Sequence, residues 1–283
     1  MAEFKKIAVI GSGTMGNGIA QVCAMAGFDV VMNDIEQRFV DNGMKAIEKS
    51  LGKMVEKQKM TKENADSVKM RITPTIKLED CKDADLVVEA IFENLQVKCE
   101  LFQKLDAMCP PSTILSSNTS SISITRMAAA TKRPDKFIGM HFMNPVPMMK
   151  LVEIINGLKT SPETCKAIME LSVKLGKTPI EVNDFPGFAS NRILMPMINE
   201  AIFCVHEGVG TPQNIDEVMK LGMNHPMGPL ALADLIGLDI VLHIMEVLYE
   251  GFNDSKYRPC PLLRKMVAAG KLGRKTGEGF YKY

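Results

Sequence analysis

A chain of 283 residues is long enough for about two domains, and 46% hydrophobic content is ample for sizeable cores. Lys and Arg total 34 against 33 Asp and Glu, so no global basic field points to nucleic acid, and no apolar run approaches the roughly 20 residues of a membrane span. Seven scattered cysteines (23, 81, 99, 109, 165, 204, 260) form no Cys-x-x-Cys pair, and four histidines show no ligand spacing, so reduced thiols in the cytoplasm and no metal site are expected.

The opening Met-Ala-Glu-Phe-Lys-Lys passes straight into an apolar strand, Lys5 to Ile10, and leaves no stretch that reads as a signal peptide. The loop Gly11-Ser12-Gly13-Thr14-Met15-Gly16 follows at once. A helical pattern then runs to Ala26, Gly27 ends it, and a second strand, Phe28 to Met32, closes on Asn33-Asp34. A glycine loop between a strand and a helix, answered by an acid 18 residues after Gly16, is a dinucleotide-binding βαβ unit. Gly11 makes the tight turn, Gly13 admits a pyrophosphate, and Gly16 lets the helix pack close, while the helix N-terminus favours the phosphate charge. Asp34 suits a ribose 2′-hydroxyl and repels a 2′-phosphate, so NAD(H) is expected over its phosphorylated counterpart.

Residues 41 to 63 read as one Lys-rich helix. Lys45, Lys49, Lys53 and Lys57 recur every four residues on one side, with Met44, Ile47, Leu51 and Met54 on the other. Such a stripe is either a solvated face or a cationic rim for a polyanionic substrate. Asp85 to Ile91 is a further buried strand, ending at Phe92-Glu93-Asn94 ahead of a helix that carries Lys98. Another strand, Thr113 to Ser117, delivers Asn118-Thr-Ser-Ser121 at its carboxyl end, where ligands of open parallel sheets bind. Lys136 to Ile155 holds two short apolar strands joined by a proline-bearing connection. His141 lies on the first and Glu153 on the second, and an antiparallel return sets them side by side as an oriented general base. A strand histidine satisfied by a local carboxylate is the plainer alternative.

A helix from Ser161-Pro-Glu to Gly176 and a last strand, Thr178 to Val182, complete this part. Beyond Asn183-Asp-Phe-Pro-Gly-Phe only helical patterns remain, at 187–207, 212–221, 229–251 and 259–270. The expected architecture is therefore α/β: a Rossmann-type, mostly parallel, doubly wound sheet over 1–185, then a smaller all-helical domain over 186–283. Asn191 stands in the first turn of the leading helix, where it can face the cleft between the domains. A helical domain of about 100 residues is small, so it is expected to bury further surface in a homodimer or higher homo-oligomer.

Six segments carry a resemblance over nearly the whole chain from Lys5. They are Gly-Ser-Gly-Thr-Met-Gly (11–16), Ser-Asn-Thr-Ser-Ser (117–121), His-Phe-Met-Asn-Pro-Val-Pro-Met-Met-Lys-Leu-Val-Glu (141–153), Asp-Phe-Pro-Gly-Phe-Ala-Ser-Asn-Arg (184–192), His-Pro-Met-Gly-Pro-Leu-Ala-Leu-Ala-Asp (225–234) and Gly-Arg-Lys-Thr-Gly-Glu-Gly-Phe-Tyr (273–281). In this order they resemble the L-3-hydroxyacyl-CoA dehydrogenase family, close to its bacterial 3-hydroxybutyryl-CoA members. The resemblance implies an NAD(H)-dependent oxidoreductase acting on an acyl-CoA, without the hydratase module that the family also carries in fused form. It implies that His141 is the base, that Glu153 orients it, and that Ser120 and Asn191 hydrogen-bond the reacting oxygen and the base. It places Glu93, Lys98 and Asn144 beside the nicotinamide ribose, Ser120 and Asn144 also by the substrate, and Asp34 on the adenosine ribose. Ser50 and Lys57 match CoA-contacting positions, with Lys53 on the same rim, and Lys275 matches a further cofactor contact. A gulonate-type hydroxy-acid dehydrogenase would keep the loop and the His–Glu pair but need no CoA rim. A non-catalytic, crystallin-like NAD-binding protein would not need Ser120, His141, Glu153 and Asn191 together.

Replacing Asp34 by Ser should weaken NADH binding by about 1–3 kcal/mol and lessen the exclusion of NADPH. The ratio of kcat/KM values for the two cofactors is the readout. An unchanged ratio would remove Asp34 from the ribose.

Overall fold

In the computed structural model, which describes residues 4–283, the apolar run after Lys5 extends as β1 (Lys6–Ile10), its last four residues buried. A strand covered on both faces carries a continuous apolar run and not an alternating one. β2 (Asp29–Asn33, its first residue exposed), β4 (Leu86–Glu89) and β5 (Ile114–Ser117) are likewise buried, with apolar runs that end on Asn33, Glu89 and the pair Ser116–Ser117, and β3 (Ile72–Thr75) lies between β2 and β4 in the chain. The wholly buried β6 (Phe137–Phe142) follows, then β7 (Leu151–Asn156) and the largely exposed β8 (Thr178–Asn183). Among the described residues these strands form one sheet in the order β3-β2-β1-β4-β5-β6-β7-β8. The pairs from β3 through β6 are parallel, β7 runs antiparallel to β6, and β8 runs parallel to β7. Strand order reverses at β1 and β4, which is where a doubly wound sheet opens its ligand crevice.

Helices α1 (Thr14–Met25), α2 (Gln37–Glu56), α3 (Lys62–Met70), α4 (Leu95–Met108), α5 (Ile124–Ala128) and α6 (Pro162–Lys174) connect the strands. Ile7, Val9, Ile19, Met32, Val88, Met140 and Ile154 meet in one apolar core. Phe102 of α4 meets Phe137 of β6 edge to face, with centroids 4.6 Å apart, a geometry worth about 0.5–1.5 kcal/mol beyond area burial. By their internal contacts the residues group into one unit ending at Asp184 and a second, Phe185–Tyr283. The second is all-helical: α7 (Ser190–His206), α8 (Pro212–Gly222), α9 (Pro229–Ile236), α10 (Leu238–Phe252) and α11 (Pro261–Ala268). Its own core gathers Met195, Ile198, Ile202, Leu230, Met245 and Leu248. Among the described residues no helix is long and apolar enough to cross a membrane.

Four elements depart from the sequence expectation, one of them the short α5, which no sequence pattern singles out. The Lys-rich stretch at 41–63 is not one helix. α2 ends at Glu56, Gln58 turns left-handed (φ 54°), and the Thr61 side chain caps a new helix by accepting from Asn64 N. The pattern at 229–251 is likewise broken, because Gly237 (φ 104°) separates α9 from α10 and the Leu238 N–H is taken by Leu272 O. The edge strand β3 was not anticipated. It is short and half polar, and it contains Pro74, which a sheet tolerates at its edge. The residues Met1–Glu3, which entered the signal-peptide reading, lie outside the described residues.

Candidate active site

The glycine loop leaves β1 and enters α1 with two backbone demands. Gly11 adopts φ 98°, a region that favours glycine, and a Cβ on Gly16 would stand 1.7 Å from Gly11 O. Gly13 faces open space, with no atom within 4 Å of where a Cβ would be, as a loop that receives a phosphate requires. Asp34, just beyond β2, accepts from Ser12 N and Ser12 Oγ, both at 2.7 Å, through one oxygen, and from Ile35 N at 2.8 Å through the other. The acid thus ties the loop to the end of the neighbouring strand and keeps lone pairs for ribose hydroxyls. Half-buried Met15 completes the first turn beside exposed Thr14. This set fits NAD.

Two strands further along, the loops after β4 and β5 are built on charges that lie inside the protein. Glu89 closes an otherwise apolar strand and is fully buried, and Lys98 on α4 is 1% exposed. The Lys98 ammonium lies 2.5 Å from Glu89 Oε1 and 3.1 Å from Glu93 Oε2, and donates to Ile91 O. Glu89 also accepts from Ile91 N at 2.7 Å and from Ser117 Oγ at 2.6 Å. Burial disfavours the charged Glu89 and pushes its carboxyl up, against the opposing pull of Lys98 and the two donors. The same burial opposes the charged Glu93, but Lys98, the Ser120 N–H and the Thr119 hydroxyl prevail and hold that carboxyl below its ordinary range. Glu93 Oε1 accepts from Ser120 N and Thr119 Oγ1 at 2.8 Å and from Ser120 Oγ at 3.3 Å. Ser120 is therefore presented by a carboxylate that is itself pinned by a cation.

Antiparallel register sets His141 directly opposite Glu153, and the ring Nδ1 lies 2.8 Å from Glu153 Oε2. A carboxylate only accepts, so Nδ1 carries the proton and, in the neutral ring, Nε2 carries the lone pair. Both residues are buried, His141 at 8% and Glu153 at 2% exposure. Asn118 Oδ1 accepts from Phe142 N at 2.9 Å, tying the carboxyl end of β5 to that of β6. The connection between β6 and β7, which carries exposed Asn144, is held from below by Lys177. This buried ammonium donates to Val146 O and, at 2.8 Å, to Met149 O, and burial pulls it below its ordinary pKa. Val146 in turn packs over the α-carbon of Gly18 in α1. The histidine turn is thereby seated on the helix that opens the dinucleotide loop.

The remaining residues singled out from the sequence lie elsewhere. Lys45, Lys49 and Lys53 are exposed along α2, Ser50 is half-buried, and Lys57 is exposed just past the helix end, over the buried Ile47 and Leu51. In the second unit, Asn191 is buried in the first turn of α7 and donates its N–H to Gly187 O. Lys275 pairs with Asp239 at 2.6 Å. Sequence reasoning missed Glu89 and Lys177. A glutamate ending a wholly apolar strand was a usable signal for the first, whereas nothing local marks the second. Among the described residues no cluster of His, Cys, Asp or Glu is arranged to hold a metal, and all seven cysteines are free thiols.

A doubly wound sheet with its dinucleotide loop at the switch point and an oriented histidine on β6 marks an NAD-dependent oxidoreductase. Residues 6–185 match the family model for the NAD binding domain of 3-hydroxyacyl-CoA dehydrogenase, and residues 187–283 match the model for its C-terminal domain. The chain belongs to the 3-hydroxyacyl-CoA dehydrogenase family. It is 61% identical over 281 residues, 99% of this chain and 98% of the relative, to a Bacillus subtilis protein named "Probable 3-hydroxybutyryl-CoA dehydrogenase". It is 55% identical to the 3-hydroxybutyryl-CoA dehydrogenase of Bradyrhizobium diazoefficiens, covering 100% of this chain and 96% of that one. The crystal structure of (S)-3-hydroxybutyryl-CoA dehydrogenase from Ralstonia eutropha superposes with a TM-score of 0.97 at 52% identity, over 99% of both chains.

Lys177→Met should leave the Val146 and Met149 carbonyls without their donor and destabilise the first unit by about 1–3 kcal/mol. Thermal melting reads this directly. An unchanged melting temperature would show that the turn keeps its shape without the ammonium.

Proposed function

We propose that this chain catalyses the reversible, NAD-dependent interconversion of a short 3-hydroxyacyl-CoA and its 3-ketoacyl-CoA, with 3-hydroxybutyryl-CoA and acetoacetyl-CoA as the pair. The names of the relatives support the substrate, and the His141–Glu153 pair carries the chemistry. NAD, which the glycine loop and Asp34 would hold, would accept the hydride that leaves C3 as the C3–H bond breaks. In the oxidative direction His141 Nε2 takes the proton of the 3-hydroxyl, and the O–H bonding pair becomes the second C–O bond of the ketone. Glu153 keeps Nδ1 protonated and stabilises the imidazolium, so the ring neither takes the wrong tautomer nor carries its new charge unaided. Ser120, held on Glu93 by its backbone N–H, turns its one hydroxyl proton from Glu93 to the reacting oxygen. Glu93 and Asn144 border the nicotinamide ribose. Ser50, Lys53 and Lys57 form the rim that receives the CoA phosphates, whose charge a solvated lysine face attracts at low salt. Short-chain fatty acid metabolism in the cytoplasm, butyrate metabolism included, is the setting that agrees with these relatives and with seven free thiols.

The direct test is the loss of reduced-nicotinamide absorbance when NADH meets acetoacetyl-CoA. Free acetoacetate or a sugar acid turned over equally well would overturn the CoA assignment. His141→Gln should lower kcat by the 10²–10⁴-fold typical of general acid–base catalysis while NADH still binds, and Glu153→Gln should also cut kcat strongly. Because the pair acts as one unit, the double variant should be little worse than His141→Gln. Oxidation needs the neutral ring and reduction the imidazolium, so the two directions should show opposed pH dependence. A folded His141→Gln protein that keeps more than about a tenth of wild-type kcat would sink the assignment, since a loss below ~1.4 kcal/mol is too small for the principal base.

A further inference from the structure

We infer that Glu89 is a positioning residue for this reaction: it pins the Lys98 ammonium beneath the loops that follow β4 and β5, and so sets where Glu93 and Ser120 stand. The inference rests on the assignment above and extends it to a buried group two residues deep in the network. Each oxygen of Glu89 has its own task. Oε1 faces Lys98 at 2.5 Å and accepts from Ile91 N, which anchors the first loop. Oε2 accepts from Ser117 Oγ at 2.6 Å, and that hydroxyl accepts in turn from Thr119 N at 3.1 Å, which anchors the second loop. Glu93 divides its oxygens in the same way, Oε2 toward Lys98 and Oε1 toward Ser120 and Thr119. The ammonium is thus shared between two carboxylates. If Glu89 lost its charge, Lys98 would draw on Glu93 alone and pull that carboxylate away from Ser120.

A packing role alone would lower stability and leave the turnover of folded protein intact. A positioning role lowers turnover per folded molecule. Glu89→Gln keeps the shape and an acceptor for Ser117, so its kcat with acetoacetyl-CoA should fall at least about tenfold, while KM for the thioester stays within about twofold. Lys98→Met should do more harm, because it leaves a fully buried carboxyl without its cation. Glu89→Gln/Lys98→Met removes both charges together and should recover at least about tenfold of the Lys98→Met loss, in NADH affinity as well as in kcat. NADH affinity is read from the fluorescence of the bound nicotinamide, which needs no substrate. A wild type that binds NADH but leaves acetoacetyl-CoA untouched counts against the assigned reaction, and Glu89 is then judged by NADH affinity alone. Should Glu89→Gln fold poorly, comparing Lys98→Met with the double variant makes the same distinction. The inference is overturned if Glu89→Gln keeps wild-type kcat and NADH affinity, or if the double variant is no better than Lys98→Met.

Discussion

Where β7 turns back against β6, a sheet that has run parallel from β3 through β6 reverses, and this pairing carries the rest of the site. Residues directly opposite in an antiparallel ladder lie about 4.5–5.5 Å apart at Cβ, so the register alone brings an imidazole within reach of a carboxylate. His141 and Glu153 are one such pair. A slip of one residue would turn one of them to the other face of the sheet. The surroundings resist that slip. Phe142 N is tied to Asn118, the turn carbonyls are held by Lys177, and Val146 sits against α1 over Gly18.

Buried charge is the means by which separate loops are held in one arrangement. Taking an ion out of water costs several kcal/mol, which is recovered only when partners satisfy it from more than one side. Glu89 and Lys98 meet that condition: both bond Ile91 in the loop after β4, and Glu89 also holds Ser117 at the end of β5. The helical unit uses the same device with hydrogen bonds in place of a cation. Asp216 accepts from Leu230 N and Ala231 N at the start of α9 and from the Tyr281 hydroxyl. Asp234 accepts from Phe280 N, Tyr281 N and the Tyr283 hydroxyl. These two buried carboxylates clasp the C-terminal strap to the helices, and burial together with Asp216 pushes the Tyr281 phenol up.

Much of this molecule was readable from residue order. The glycine loop, the acid closing β2, the apolar strands and the change to purely helical patterning after Asn183 are each written within a few consecutive residues, and near neighbours govern local conformation. His141 and Glu153 could be named together because two short apolar strands and a proline-bearing turn imply a return of the chain. Helix ends were less legible. Gln58 is not a residue type that announces a left-handed turn, and Gly237 inside an apolar pattern reads as a tolerated glycine until its φ is seen. The resemblance put Lys98 beside the cofactor; it gave no sign that the ammonium is engaged inside the protein by Glu89 and Glu93.

By itself the sequence determined the alternation of strands and helices that gives way to helices after Asn183, the dinucleotide loop, and the placing of His141 and Glu153 on two successive strands, because all of these depend on spacing along the chain. Tertiary structure decided which buried charges meet: Lys177 with carbonyls 28 and 31 residues away, Ser117 with Glu89 across 28. No local pattern encodes such partners. Their pairing follows from the order in which strands are laid side by side, and a charge enters the interior only where that order supplies an answering group.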